Sequence, residues 1–402
     1  MNSWTFRYSL INVTYFAVFC TLHAYAAVYL LDRGFTNTQI GILLAVANIT
    51  SAMAQPLVAS VIDKRGFFTN RNVTMISALA IAAGSAILLA ADGSKIVVFV
   101  IYALIYMIQF TYMPVMTALN FEYQRHGINI FYGLARGLGS AGFAITSAII
   151  GTVVERSGVK VLLYVNIAIM LIQTVVVYYF RLPAGDEISR VDEAGADEKP
   201  PEDGKDSSIG EFVRKYPAFM LMLVATVFLF FTHNMLNDYL IQIIRELGGS
   251  ESNLGIATFV AALLELPTMA VITVISKKVS MNKLLVISGI SFTIKAVIML
   301  VATNIPLVYT SQAMQMFAYA VFIPAAAYYV SSNIDEHDQV KGQAFVTSCF
   351  TMAGVFSSLL CGIILDKLGV KEMLVIGTVI SIIGTLLIIR SMRMSSDKAK
   401  QY

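Results

Sequence analysis

Charge is what this chain is short of. Asp, Glu, Lys and Arg make up 13% of its 402 residues, where a water-soluble domain carries about 25%. The net charge of +3 selects no partner, and no basic stripe interleaved with aromatics marks a nucleic-acid surface. Cysteine is scarce too. Cys20, Cys349 and Cys361 lie in apolar runs without CxxC or Cys/His spacing, so neither a disulfide framework nor a zinc site is indicated. P-loop, HExxH, GxSxG and Rossmann fingerprints are missing, which disfavours ATP-driven transport and hydrolase chemistry. No cofactor, metal or enzymatic activity is expected. The cluster Asp335-Glu336-His337-Asp338 reads as a solvated loop before it reads as a metal site.

What fills the chain instead is apolar sequence. Hydrophobic residues reach 57% and the mean hydropathy is +0.73. Apolar stretches near the bilayer-spanning length of about 20 residues recur throughout. A β-barrel would show shorter segments alternating polar and apolar. The expected fold class is therefore an all-α membrane protein with twelve transmembrane helices in two pseudo-symmetric six-helix bundles. The spans fall at about 8–31, 38–62, 73–91, 96–119, 131–153, 159–180, 217–243, 252–276, 283–302, 305–330, 343–364 and 371–391. The first lacks a cleavage site and reads as a span, not a removable signal. Lys and Arg concentrate in alternate loops, such as Lys64, Arg65 and Arg71, and at the C-terminus, as Arg390, Arg393, Lys398 and Lys400. That bias places both termini in the cytoplasm of a multi-pass protein of the cell's inner membrane.

Residues 184 to 210 form the only long hydrophilic stretch and are rich in Asp, Glu, Gly and Pro. With almost nothing to bury, they should be a mobile linker. The expected organisation is a bundle over 1–183, a cytoplasmic linker over 184–215 and a second bundle over 216–402. The halves resemble each other. Tyr25-x8-Gly34-x6-Gly41 repeats as Tyr239-x8-Gly248-x6-Gly255, and Gly151-x6-Gly158-Val-Lys repeats as Gly362-x6-Gly369-Val-Lys. Two related bundles imply a central mid-membrane cavity of the kind that supports alternating access.

Four charges fall inside apolar runs: Arg136, Asp238, Glu265 and Lys295. An intramembrane charge costs roughly 2.5–3.5 kcal/mol on insertion scales, which makes each a functional-site candidate. Arg136 lies in FYGLARGLGSAGFAITSAIIG, residues 131 to 151. Its planar fork of donors suits carboxylates or sugar hydroxyls; an ion pair with Glu265 is the structural alternative. Asp238 and Lys295 are candidates for an interhelical pair or for proton coupling. His23 and His233 sit at near-equivalent places and can titrate near neutral pH. Asn48, Gln109, Asn166, Asn234, Asn237, Gln312 and Gln315 supply uncharged polar groups at span depth, and Tyr25, Tyr102, Tyr106, Tyr112, Tyr319 and Tyr328 could stack on a ring.

These features together resemble the major facilitator superfamily, in its lactose permease and nucleoside–proton symporter branch. QPLVASVIDKRG, residues 55 to 66, is similar to the family's loop after span two, so Asp63, Lys64 and Arg65 become the expected gating motif. Phe131 to Gly139 resembles the Gly-x-x-Arg start of span five, where the arginine binds sugar; Pro114 in span four also matches. Glu265 matches a span-eight carboxylate, Gly289-x5-Lys295 a span-nine arginine, and Asp238 an acidic position in span seven. The family's span-four carboxylate falls near Thr117 and is absent, and span ten has neither the expected His nor Glu. The resemblance implies a secondary active transporter that moves a small polar solute, saccharide or nucleoside, with protons, and works as a monomer. Substrate contacts are expected from Arg136, Glu265, Asn234, Tyr25 and Gln312, and proton coupling from Glu265, Asp238, Lys295 and His233. A drug–proton antiporter and a non-transporting sensor on the same fold are the alternatives.

Overall fold

The structure is a computed structural model, and it describes residues 2–64, 67–91, 93–182, 208–275 and 278–398. It is helical. In the first half, α1 (Ser3–Phe19) runs through a π turn at Cys20–Ala24 into α2 (Ala26–Asp32). Then follow α3 (Asn37–Asp63), α4 (Asn70–Ala90), α5 (Lys95–Arg125), α6 (Tyr132–Ser157) and α7 (Val161–Tyr179). The second half holds α8 (Ile209–Lys215), α9 (Pro217–Asp238), α10 (Leu240–Glu246), α11 (Glu251–Ile275), α12 (Met281–Leu300), α13 (Ile305–Ala313), α14 (Tyr319–Asn333), α15 (Glu336–Lys367) and α16 (Val370–Lys398). Among the described residues, ten helices, counting broken span ten as one, are long and apolar enough to cross a membrane, and the bent pair α1–α2 makes an eleventh. Helix α11, 25 residues long, occupies the remaining expected span.

Local chemistry sets several boundaries. Thr36 and Gln39 close a capping box at the start of α3, and Ser208 with Glu211 does the same for α8. The end of the expected linker is thus a helix, with Phe212 buried against the second bundle; residues 184–207 lie outside the described residues. Three expected spans are broken, not continuous. Span one bends by 49° at Tyr25. Span seven breaks at Tyr239, between α9 and α10. Span ten breaks between Ala313 and Tyr319, through a 3₁₀ turn at Met314–Met316. At this break the Ala318 carbonyl, which already accepts the Phe322 N–H at 3.0 Å, also accepts from Ser288 Oγ of α12 at 2.6 Å, tying the kink to its neighbour.

In the first bundle α1 packs on α6 and α7, and α4 packs on α5 and α7; in the second, α9 packs on α15 and α16, and α12 on α14 and α16. The bundles meet chiefly along two pairs, α3 against α15 and α6 against α11. Both crossings are built from the repeated residues. Gly41 of α3 faces Gly362 of α15, and the Tyr239 hydroxyl would lie 2.8 Å from a Cβ on either. Gly151 of α6 faces Gly255 of α11, and the Tyr25 hydroxyl would lie 2.8 Å and 2.9 Å from a Cβ on each. Any side chain at these four glycines would overlap backbone of the facing helix. Close backbone approach is why glycine stands there. Gly34 and Gly248 serve differently: they end α2 and α10 with φ of 75° and 76°, which a Cβ would strain.

The crossings are held at the end of the molecule away from the termini. Asp366 accepts from the backbone N–H of Asn37 at 3.1 Å and of Thr38 at 2.7 Å, so α15 caps the start of α3. At the other crossing Ser250 donates to Glu155 at 2.9 Å, Thr152 meets Ser252 at 3.0 Å, and Ser147 donates to the Gly255 carbonyl at 2.9 Å.

Candidate functional site

Between the bundles, on the termini side of the crossings, lies a cavity of about 600 Å³. That is an ordinary volume for a small-molecule site. Its two walls differ in chemistry.

The first-bundle wall carries Arg136 and a carpet of rings. Arg136 stands in the second turn of α6, half-buried. It donates to Ser140 Oγ at 2.9 Å, one turn on, and its Cζ lies 4.1 Å from the Phe16 ring centre. Ring-face contact of this kind favours a cation where water is scarce. Gly139 makes the room: a Cβ there would come within 2.7 Å of the Phe16 ring. Phe19 stacks on His23 at 4.1 Å, and Phe110 meets both edge-on at 5.5 Å and 4.5 Å. Among the described residues neither ring nitrogen of His23 has a hydrogen-bond partner, although His23 lines the cavity.

The second-bundle wall carries acids and amides. Glu265 comes from α11, two residues before Pro267. Asp238, at the end of α9, accepts from Ser358 Oγ at 3.0 Å. His233 stacks on Tyr319 at 5.0 Å and has the Asn237 amide 3.1 Å from Nε2. Asn234, Gln312 and Gln315 add amides to this side, and Phe230, Tyr319 and Phe350 add rings.

The structure brings some of the expected residues to this cavity and puts others elsewhere. Arg136, Glu265, Asn234, Gln312, Asp238 and His233 all line the cavity. Tyr25 does not. It is fully buried in the α6–α11 crossing, where its hydroxyl reaches the Glu251 carbonyl at 3.5 Å. Lys295 is fully buried behind the wall, donating to Gln315 Oε1 at 2.6 Å. The expected Asp238–Lys295 pair is therefore not made, because each group is satisfied by a different helix. The Arg136–Glu265 pair is not made either: among the described residues no ion pair joins any of the four intramembrane charges. Tyr102 and Tyr112 hydrogen-bond inside the first bundle, to the Leu22 carbonyl and Gln173, and Gln109 bonds the Tyr15 carbonyl. Asp63 and Lys64 are exposed at the end of α3; Arg65 lies outside the described residues. The ring carpet of Phe16, Phe19, Phe110 and Phe143 was not expected, since a cavity-facing phenylalanine and a lipid-facing one look alike in an apolar run.

Two six-helix bundles around a central chamber lined by charges, amides and aromatic rings define a transporter of the major facilitator type. The chain belongs to the MFS_1-like family, whose model matches residues 5–383. It is similar to the maltose permease of Geobacillus stearothermophilus, 24% identical over 381 residues that cover 93% of this chain and 91% of that one. Among solved structures it resembles a point mutant of the nucleoside transporter NupG, with a TM-score of 0.79, 11% identity, and 97% and 100% of the two chains covered. It also resembles a bacterial homologue of the human lysosomal transporter Spinster, inward-facing and unoccupied, with a TM-score of 0.70, 11% identity, and 98% and 97% covered. At such identities these structures speak for the fold.

Proposed function

We propose that this chain imports a small neutral polar solute, a saccharide or nucleoside, together with a proton, by alternating access. One observation carries the proposal: Arg136 and Glu265 face one cavity from opposite bundles without forming an ion pair with each other. A donor fork and a carboxylate held apart suit a hydroxyl-bearing molecule between them. The ring carpet beside Arg136 suits the apolar face of a sugar or a base. That a maltose permease and a nucleoside transporter stand among its relatives in sequence and in fold supports this class.

In this proposal Arg136 orients the solute and Glu265 accepts its hydroxyls. Glu265 and Asp238 are the proton-carrying acids, with His233 near both the cavity and Asn237. Both termini lie in the cytoplasm of the inner membrane, the segment 184–215 joins the bundles 1–183 and 216–402, and a single copy suffices. The conformation described is then open inward, since the two crossings close the far end. The Asp63-Lys64-Arg65 loop would act when that order reverses.

Proteoliposome uptake tests the proposal. Glu265→Gln should abolish uphill accumulation driven by a pH gradient while sparing counterflow. Full accumulation by that variant would rule Glu265 out as the coupling acid. The ring carpet favours one second reading, an antiporter that expels aromatic cations. It requires protons to move against the solute, so the sign of the pH change on adding solute to energised vesicles separates the two.

A further inference from the structure

Lys295 is fully buried and does not line the cavity. No carboxylate among the described residues lies within ion-pair distance of it. It is strapped instead to broken span ten at two places. Its Nζ donates to Gln315 Oε1 at 2.6 Å, and its backbone carbonyl accepts from Ser311 Oγ at 2.8 Å. An ammonium has three donors and no acceptor. The Gln315 atom that faces it must therefore be the carbonyl oxygen. The amide nitrogen, the other branch of the same plane, is turned to the Glu265 carboxylate, with which Gln315 shares a side-chain hydrogen bond at the cavity wall. Three residues earlier on the same wall, Gln312 is buried, and its Nε2 has no hydrogen-bond partner among the described residues.

We infer that Lys295 is a positioning residue that fixes the hydrogen-bond polarity of the site. By holding the Gln315 carbonyl it turns the Gln315 amide N–H onto Glu265, which aims that carboxylate as an acceptor, and leaves the Gln312 amide N–H as the donor span ten offers to acceptor oxygens of the solute. Arg136 adds donors from the opposite wall, and Glu265 supplies the facing acceptor. A solute rich in hydroxyl, ring or carbonyl oxygens satisfies this arrangement. An amine-rich cation fits it less well, because it meets the donors of Gln312 and Arg136 and finds its acceptors only at the carboxylates Glu265 and Asp238. The inference rests on the solute-binding role proposed above for the cavity, and its test has a part that does not.

That part needs no ligand. A double-mutant cycle of Lys295→Met and Gln315→Leu on thermal unfolding of the purified chain should be non-additive, with the double variant less destabilised than the two single changes together. Additivity overturns the link between the two residues. The second part uses maltose, uridine and the cation ethidium as probes. For whichever neutral probe is taken up, Lys295→Met should raise KM about tenfold, the scale of one lost hydrogen bond, with Vmax within about twofold. Lys295→Arg, also a donor-only head, should restore most of the loss. A fall in Vmax at unchanged KM, or no rescue by arginine, overturns the positioning role. Uptake of neither neutral probe, or binding of ethidium in their place, counts against the solute class and the function above, while the cycle still decides whether Lys295 and Gln315 act as a unit.

Discussion

The two crossings that join the bundles are copies of one device with different fastenings. Each places two glycines face to face and threads a tyrosine hydroxyl between them: Tyr239 at α3–α15, Tyr25 at α6–α11. The fastenings differ. At α3–α15 a carboxylate from one bundle takes two orphan N–H groups at the start of a helix in the other. Such bonds combine charge, geometry and the helix dipole. At α6–α11 the equivalent acid, Glu155, meets only the hydroxyl of Ser250, and the rest are hydroxyl contacts. The first crossing is built to hold, and the second to part more readily.

The harshest way to break this comparison is to fill a glycine. Gly41→Val drives a side chain into the Ser358 carbonyl and the Tyr239 hydroxyl. Overpacking of this kind costs about 1–3 kcal/mol, which shifts a two-state balance roughly 5- to 150-fold. The expected result is a longer spin-label distance across the far end and lost transport. Gly255→Val should do the same at the other crossing; an unchanged short distance in both would show that the glycines are not what allows closure. The carboxylates come next. Asp366→Ala should weaken closure by about 1 kcal/mol, the scale of a lost cap, whereas Glu155→Ala, which removes a single contact with the Ser250 hydroxyl, should stay within about 0.5 kcal/mol. Equal effects on the same distance distribution would erase the proposed asymmetry.

The smallest effect belongs to a control at the other end. Lys215 bridges α8 to Asp335 at 2.6 Å and to Asp338 at 3.4 Å. Its ammonium holds the exposed Asp335 carboxyl below the usual carboxylate range, and Asp335 in turn raises Lys215. A depressed carboxyl contributes stability above its unfolded pKa and loses it as pH falls through the folded one. Exposed pairs contribute little. Lys215→Ala should therefore lower Tm by about 1–2 °C at neutral pH, converge with the parent chain in acid, and leave both crossings closed. A difference that persists once Asp335 is protonated would assign the effect to lost packing of α8.

Span number, halves and repeat were legible because lipid and backbone impose them. Long apolar runs have few alternatives, and a glycine between touching backbones has none. Arg136 and Glu265 were legible because a charge in oil needs a reason. What the sequence hid was direction. Tyr25 stood out through the repeat, yet nothing in its spacing told a strut in a crossing from a ligand contact. Lys295 was paired on charge alone with Asp238, when geometry hands it to an uncharged amide, Gln315, further along the chain. The broken spans were hidden as well, since Ala313–Tyr319 reads as ordinary apolar sequence.

The break in span ten bears on how the protein is made. Helices α13 and α14 have 9 and 15 residues, each shorter than the roughly 20 needed to cross a bilayer. They must enter the membrane together, as one ordinary hydrophobic stretch. The hydroxyl that later donates to the Ala318 carbonyl belongs to Ser288, on α12, which is synthesised first. The kink therefore finds its partner already inserted when its own segment leaves the ribosome, and a Ser288→Ala chain should show its defect during biogenesis, as lowered yield in the membrane.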